Sequence, residues 1–173
     1  MATANTFVQI GSTVTVGSSV SSIEFTSIPA TYTDLMILCS LRGDRSASEN
    51  QAAAIEFNSS SSNLTARWIR VLENAAGSGS EASSIPFGVN GAANTASSFA
   101  STSIYIPNYA GSNHKSVSID SLSENNATNV FSYITAGKWS NTAAITSVKI
   151  IAQNSGTNFV QYSTASLYGI LKY

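Results

Sequence analysis

The residues that could do chemistry are few and scattered. His114 is the single histidine, set in Ser112-Asn-His-Lys115, which reads as a turn entering a strand. A triad of His114, a serine and Asp120 or Asp34 can be drawn, but the Gly-x-Ser-x-Gly elbow that would expose a nucleophile is missing. Nine acidic residues could in principle supply a carboxylate pair for glycoside hydrolysis, yet no spacing singles out a pair. Asp44 and Glu49 could offer loop oxygens to calcium, but EF-hand spacing is absent and a solvated loop is expected. Cys39 is the only cysteine, so there is neither an intrachain disulfide nor a thiolate zinc site. Inside Leu35-Met-Ile-Leu-Cys39 it is expected to act as a small buried hydrophobe. No Walker-type loop or dinucleotide fingerprint occurs, and no metal or cofactor is expected.

Two motifs have simpler readings than the functions they bring to mind. Arg42-Gly43-Asp44 is the tripeptide that integrin ligands display, but Gly43 reads as a turn after a long strand. Asn63-Leu-Thr65 and Asn126-Ala-Thr128 match the glycosylation pattern, as a chain rich in Ser and Thr does by accident. The aromatics Trp68, Trp139, Tyr105, Tyr109, Tyr133 and Tyr168 are candidates for core, for subunit contact or for stacking on sugars. Trp68, Arg70, Tyr105, Tyr109 and Trp139 are the candidate partner-binding residues.

Positioning these groups falls to short strands. Charged residues are only 10% and net charge is −1, against about 25% charged in ordinary domains. Ser, Thr and Asn fill the gap at roughly a third of the chain. With 43% hydrophobic residues the chain is not a disordered one. At pI 5.7 it lacks the basic footprint of a nucleic-acid binder. The longest apolar run, residues 35–39, is far too short for a membrane span. Met1-Ala-Thr-Ala-Asn-Thr lacks the basic and apolar regions of a secretory signal, so synthesis and folding in a cytoplasm are expected.

Period-two alternation predicts strands along the chain. Residues 7–10 and 13–16 flank Gly11 as a bend or hairpin. Residues 22–26 turn Ile23 and Phe25 inward. Residues 33–41 place Leu35, Ile37, Cys39 and Leu41 on one face, with Met36 and Leu38 on the other. That two-faced pattern predicts a central strand covered on both sides. A strand is expected at 53–58, and strand is favoured over helix at 64–72. Residues 75–84 read as an exposed Gly/Ser-rich loop and 89–98 as a low-complexity connection. Further strands are expected at 102–106, 115–122, 130–139, 145–152 and 167–171. At the C-terminal end, residues 163–173 alternate, with Ala165, Leu167 and Leu171 opposite Thr164, Ser166, Tyr168 and Ile170. The expected fold is all-β: a single antiparallel β-sandwich over residues 1–173, jelly-roll-like, of about ten strands with little or no helix. Residues 1–15 form an attachment arm or a first strand.

A set of segments then stands out in order. It comprises Phe25-Thr-Ser-Ile-Pro-Ala-Thr-Tyr-Thr-Asp-Leu35, Ile104-Tyr-Ile-Pro-Asn-Tyr109, Lys115-Ser-Val-Ser-Ile-Asp120 with Glu124-Asn-Asn126, Ala136-Gly-Lys-Trp-Ser-Asn-Thr142 with Ala144-Ile145, and Leu167-Tyr-Gly-Ile170. Together they resemble small structural proteins of tailed bacteriophages, especially marine and cyanobacterial ones. Residues 47–100 do not contribute to the likeness. The resemblance implies a virion component with a β-sandwich fold and no catalytic residues. The resemblance does not itself choose between decoration proteins and domains of fibres. Because the sequence shows no fibre shaft, coiled-coil heptads or collagen-like repeat, the leading expectation is a capsid decoration (cement) protein, trimeric, on the outer surface of the head, with the major capsid protein as partner. The alternative it leaves is a tail- or fibre-associated protein that binds a host surface glycan.

Overall fold

Hydroxyl and apolar residues alternate so regularly in β-strands such as 34–41, 115–124 and 130–139 that each of these has a wet face and a dry one. In Asp34–Leu41 the side chains of Leu35, Ile37 and Leu41 are wholly buried and Cys39 nearly so, while Leu38 is exposed. The expectation that this strand is covered on both faces is therefore corrected. It is central within its sheet, but only one face is covered by the rest of the chain.

The computed structural model describes residues 6–126 and 128–171. It contains twelve strands: β1 (Phe7–Thr15), β2 (Ser22–Phe25), β3 (Asp34–Leu41), β4 (Asn50–Phe57), β5 (Leu64–Leu72), β6 (Ala75–Glu81), β7 (Ile85–Asn90), β8 (Ala100–Ile106), β9 (Lys115–Glu124), β10 (Val130–Trp139), β11 (Val148–Ala152) and β12 (Thr164–Ile170). They form an eight-stranded sheet, β1-β12-β3-β8-β9-β10-β5-β6, and a four-stranded sheet, β2-β11-β4-β7. Every pairing between named strands is antiparallel. The fold is an all-β sandwich, with no helix among the described residues. Jelly-roll wiring, the finer expectation, is not established by this order. Leu35, Ile37, Ile104, Ile119 and Leu167 from the large sheet meet Ile23, Ile55, Phe87 and Ile150 from the small one in a single core.

Several expectations change. Of the bend and the hairpin expected at Gly11 the bend is found: β1 runs through it as one strand, Gly11 adopts φ 70° and the register to β12 slips between Ile10 and Val14. That is a bulge, in which glycine takes the left-handed backbone without a Cβ clash. Residues 75–84 are largely strand, because a two-residue turn at Glu73 and Asn74 (φ 50° and 67°) folds β6 back onto β5. Both central residues left-handed is the hairpin turn whose twist suits paired strands. Residues 85–90, partly assigned to a connection, form β7, buried on both faces. Of the expected closing strand, Lys172 and Tyr173 lie outside the described residues, as do residues 1–5 of the expected arm.

Four strands end the two sheets, and three of them are blunted. β7 lies against the large sheet, where Thr135 Oγ1 donates to the Pro86 carbonyl (2.8 Å) and Ser121 Oγ to the Gly88 carbonyl (2.6 Å). Those hydroxyls satisfy an edge that would otherwise be buried without partners. The close approach needs glycine: a Cβ on Gly137 would fall 2.5 Å from Ile85, and one on Gly88 2.4 Å from the Tyr133 ring. β1 is interrupted by its bulge, and β2 has four residues and carries Glu24. β6, by contrast, is seven residues of Ala, Gly and Ser ending in Glu81, nearly all exposed.

Candidate docking face

Because side chains alternate, the register of the large sheet maps its outer face row by row. One row runs Ser78–Ile69–Ile134–Asp120–Ser103–Leu38–Ser166. The next runs Ala76–Val71–Ser132–Leu122–Ser101–Ser40–Thr164. On β5, β10 and β9 this face carries open apolar side chains: Ile69 is 57% exposed, Ile134 52% and Leu122 49%. Two shallow depressions flank Ile69 and Ile134, floored by Arg67, Ser80 and Ala136 on one side and by Val71, Ala76 and Ser132 on the other. Most of the remaining face is hydroxyl. Single exposed leucines are ordinary on soluble proteins, but Ile69 and Ile134, cross-strand partners on one face, form an apolar patch suited to contact.

The five candidate partner-binding residues separate. Trp139 is core, packed on Phe57 at 5.6 Å between ring centroids, with its Nε1 lacking a partner. Tyr109 is wholly buried: its hydroxyl donates to the Pro29 carbonyl and accepts from the Tyr32 N–H at 3.4 Å. Neither reaches the surface, so both support the fold and are corrected as contact residues. Tyr105 stands on the outer face and donates to Asp34 Oδ2 at 2.8 Å. That hydrogen bond, with some burial and the nearby charge, raises its phenol pKa.

Trp68 and Arg70 share the opposite face, where β5 and β6 overhang β7. The Arg70 guanidinium lies 4.3 Å from the Trp68 ring centroid, and its Nη1 donates to the Tyr133 hydroxyl at 3.2 Å. The Trp68 ring edge rests on Gly79, where an added Cβ would fall 2.3 Å from Cζ2. A cation held over an indole competes with a sugar for the same ring. The pair thus braces the overhang.

The remaining chemical candidates are also accounted for by structure. Arg42 is buried and Asp44 is engaged: its carboxylate accepts from the Asn158 N–H (2.7 Å) and Nδ2 (3.0 Å). Gly43 is needed for space, since a Cβ would meet Gln51 Oε1 at 2.0 Å. An Arg-Gly-Asp segment so packed is not on display. Glu49 accepts from Asn125 and Asn129 side chains. Among the described residues, no three His, Cys, Asp or Glu cluster to hold a metal. His114 is exposed at its turn, while Asp34 accepts from Tyr105 and from the Asn108 N–H.

Cys39 is 8% exposed, and burial pushes its thiol up to about 12 from an ordinary 9.0. A thiol that stays protonated is a poor nucleophile. Alkylation by iodoacetamide at pH 8 is expected to proceed only as fast as the protein unfolds; labelling of the folded chain at the rate of a free thiol would refute this. The linked stability is fully present below pH 9 and is lost as pH rises towards 12, because only the unfolded chain then releases the proton.

A scan against protein-family models finds no match, and neither the curated proteins nor the solved structures yield one. Among the described residues no helix is long and apolar enough to cross a membrane.

Proposed function

We propose that this protein is a structural component of a tailed-phage virion that docks through the outer face of its large sheet and cements the head. The phage assignment rests on the ordered segments between Phe25 and Ile170. The observation that carries the docking is the open Ile69–Ile134 pair, with Leu122 beside it, on a face otherwise lined mainly by hydroxyls. Covering such side chains contributes about 1.5–3 kcal/mol each when burial is complete. With a formal net charge of −1, attachment depends on shape and apolar contact, so its salt dependence is small. A ligand of the assembled shell that does not bind free subunits stabilises the shell by mass action.

The test uses heads that lack the protein. The double substitution Ile69→Asp with Ile134→Asp is expected to weaken head binding about 100-fold or more, corresponding to roughly 3 kcal/mol. Both positions are more than half exposed, so circular dichroism should stay native. Heads refilled with wild-type protein should resist heat better than empty-surfaced ones. Equal heat resistance with and without the protein, or undiminished binding by the double variant, would defeat this reading.

A further inference from the structure

The β6 edge goes beyond the docking reading and stands independently of it. In the β5–β6 hairpin the residues flanking the two-residue turn, Leu72 and Ala75, are a hydrogen-bonded pair, and bonded pairs recur every second residue. The backbone groups of Ala76, Ser78 and Ser80 therefore point outward from the sheet. Natural sheets protect such edges with charge, proline, bulges or covering groups. The other three edges here are protected, by hydroxyl caps on β7, a bulge in β1, and shortness with Glu24 in β2. From Ala75 to Ser80, β6 has none of these devices among the described residues.

We propose that β6 pairs antiparallel with β6 of a second copy, about a two-fold axis through Ser78. This register is internally consistent. Ser78 faces its own copy and Ala76 faces Ser80 of the other, so all outward groups meet in three bonded pairs, about six hydrogen bonds. The non-bonded positions, where strands and side chains come closest, pair Gly77 with Gly79 and so bring no Cβ into conflict. The Trp68 ring already lies on Gly79 and gains Gly77 of the second copy as further floor. An isologous contact uses itself up, and with the other edges blocked the assembly stops at two. Ile69 and Ile134 of both copies then share one continuous outer face, doubling the docking patch.

Sedimentation equilibrium of the full chain is expected to give a mass near twice 18.0 kDa that dissociates on dilution. Ser78→Pro removes an outward donor without touching the β5 ladder, and Ser78→Lys sets two like charges on the axis; each should leave a monomer with native circular dichroism. A wild-type chain that is monomeric at all loadings, or trimeric, overturns the inference. So does a dimer that survives in whichever of the two variants folds. Head binding is read separately on the Ile69→Asp, Ile134→Asp chain, which leaves the outward backbone of β6 unchanged, so failure of the dimer and failure of the docking reading are distinct results.

Discussion

Replacing Arg42 with alanine is expected to cost about 3 kcal/mol of stability and to lower Tm by roughly 10 °C in a chain of this length. Arg42 sits at the end of β3, buried, and its guanidinium reaches four main-chain carbonyls of the 91–99 connection. Nη1 donates to Thr95 (2.7 Å) and Ser98 (3.0 Å), and Nη2 to Asn94 (2.9 Å) and Ala92 (3.2 Å). Burial lowers its pKa, but arginine stays charged, and its planar fork suits several acceptors at once. Without it, carbonyls in a segment that has no strand of its own lose their donors, at about 1–3 kcal/mol for each one left buried. Arg42→Lys should recover only part of the loss, since one ammonium cannot span both arms of the fork. Thermal unfolding checks both variants; an alanine variant within about 0.5 kcal/mol of wild type would show that water replaces the guanidinium freely.

The role of Arg42 was not legible in the sequence, whereas most of the strands were. Alternation located β3, β5, β9 and β10 closely, because each buries one face of the large sheet against a single core. The ambiguous 64–72 segment resolved as strand because Leu64 and Ala66 go inward while Arg67 and Ile69 go outward. β6 was illegible for a physical reason: an edge strand of Ala, Gly and Ser has no apolar period, and its order comes from β5 and the turn at Glu73–Asn74. β7 carries no period either, since all six residues are buried. At Gly11 a bulge and a hairpin share the same signal, a glycine between apolar runs.

The contact residues were less legible than the fold. Residue type favoured Trp139 and Tyr109, yet type does not say which side of a sheet a side chain takes. Parity does. Trp139 falls in step with Phe131 and Tyr133, both buried, whereas Ile134 falls between them and points out. Counting from a known core position would have exposed Ile134, Ile69 and Leu122 before any aromatic. The packing roles of Arg42 and Asp44 were not legible because their partners lie about 50 and 114 residues away in the chain.

Lys115→Met is expected to cost about 3 kcal/mol, and to change the response to alkali as well as the midpoint. Lys115 is fully buried, with no carboxylate among the hydrogen-bond partners of its ammonium. Nζ donates to the carbonyls of Gly111 (2.7 Å) and Asn113, with a longer contact to Thr142 at 3.5 Å. The cation thus ties the turn before β9 to the segment after β10 and closes that end of the sandwich. Methionine matches its volume but supplies no donor, so the loss of the cage outweighs the relief of no longer burying a charge. Burial lowers the Lys115 pKa in the folded state. Between that lowered value and the ordinary lysine range only the unfolded chain holds the extra proton, so this contribution to stability rises with pH. Below the lowered value the whole cost of burying the charge is present. Denaturant melts from pH 7 to 10 should show an upward contribution in wild type that Lys115→Met abolishes, on top of the opposing Cys39 slope common to both. If the two proteins keep a constant stability difference across that range, Lys115 does not titrate differently on folding, and the cage acts through its hydrogen bonds alone.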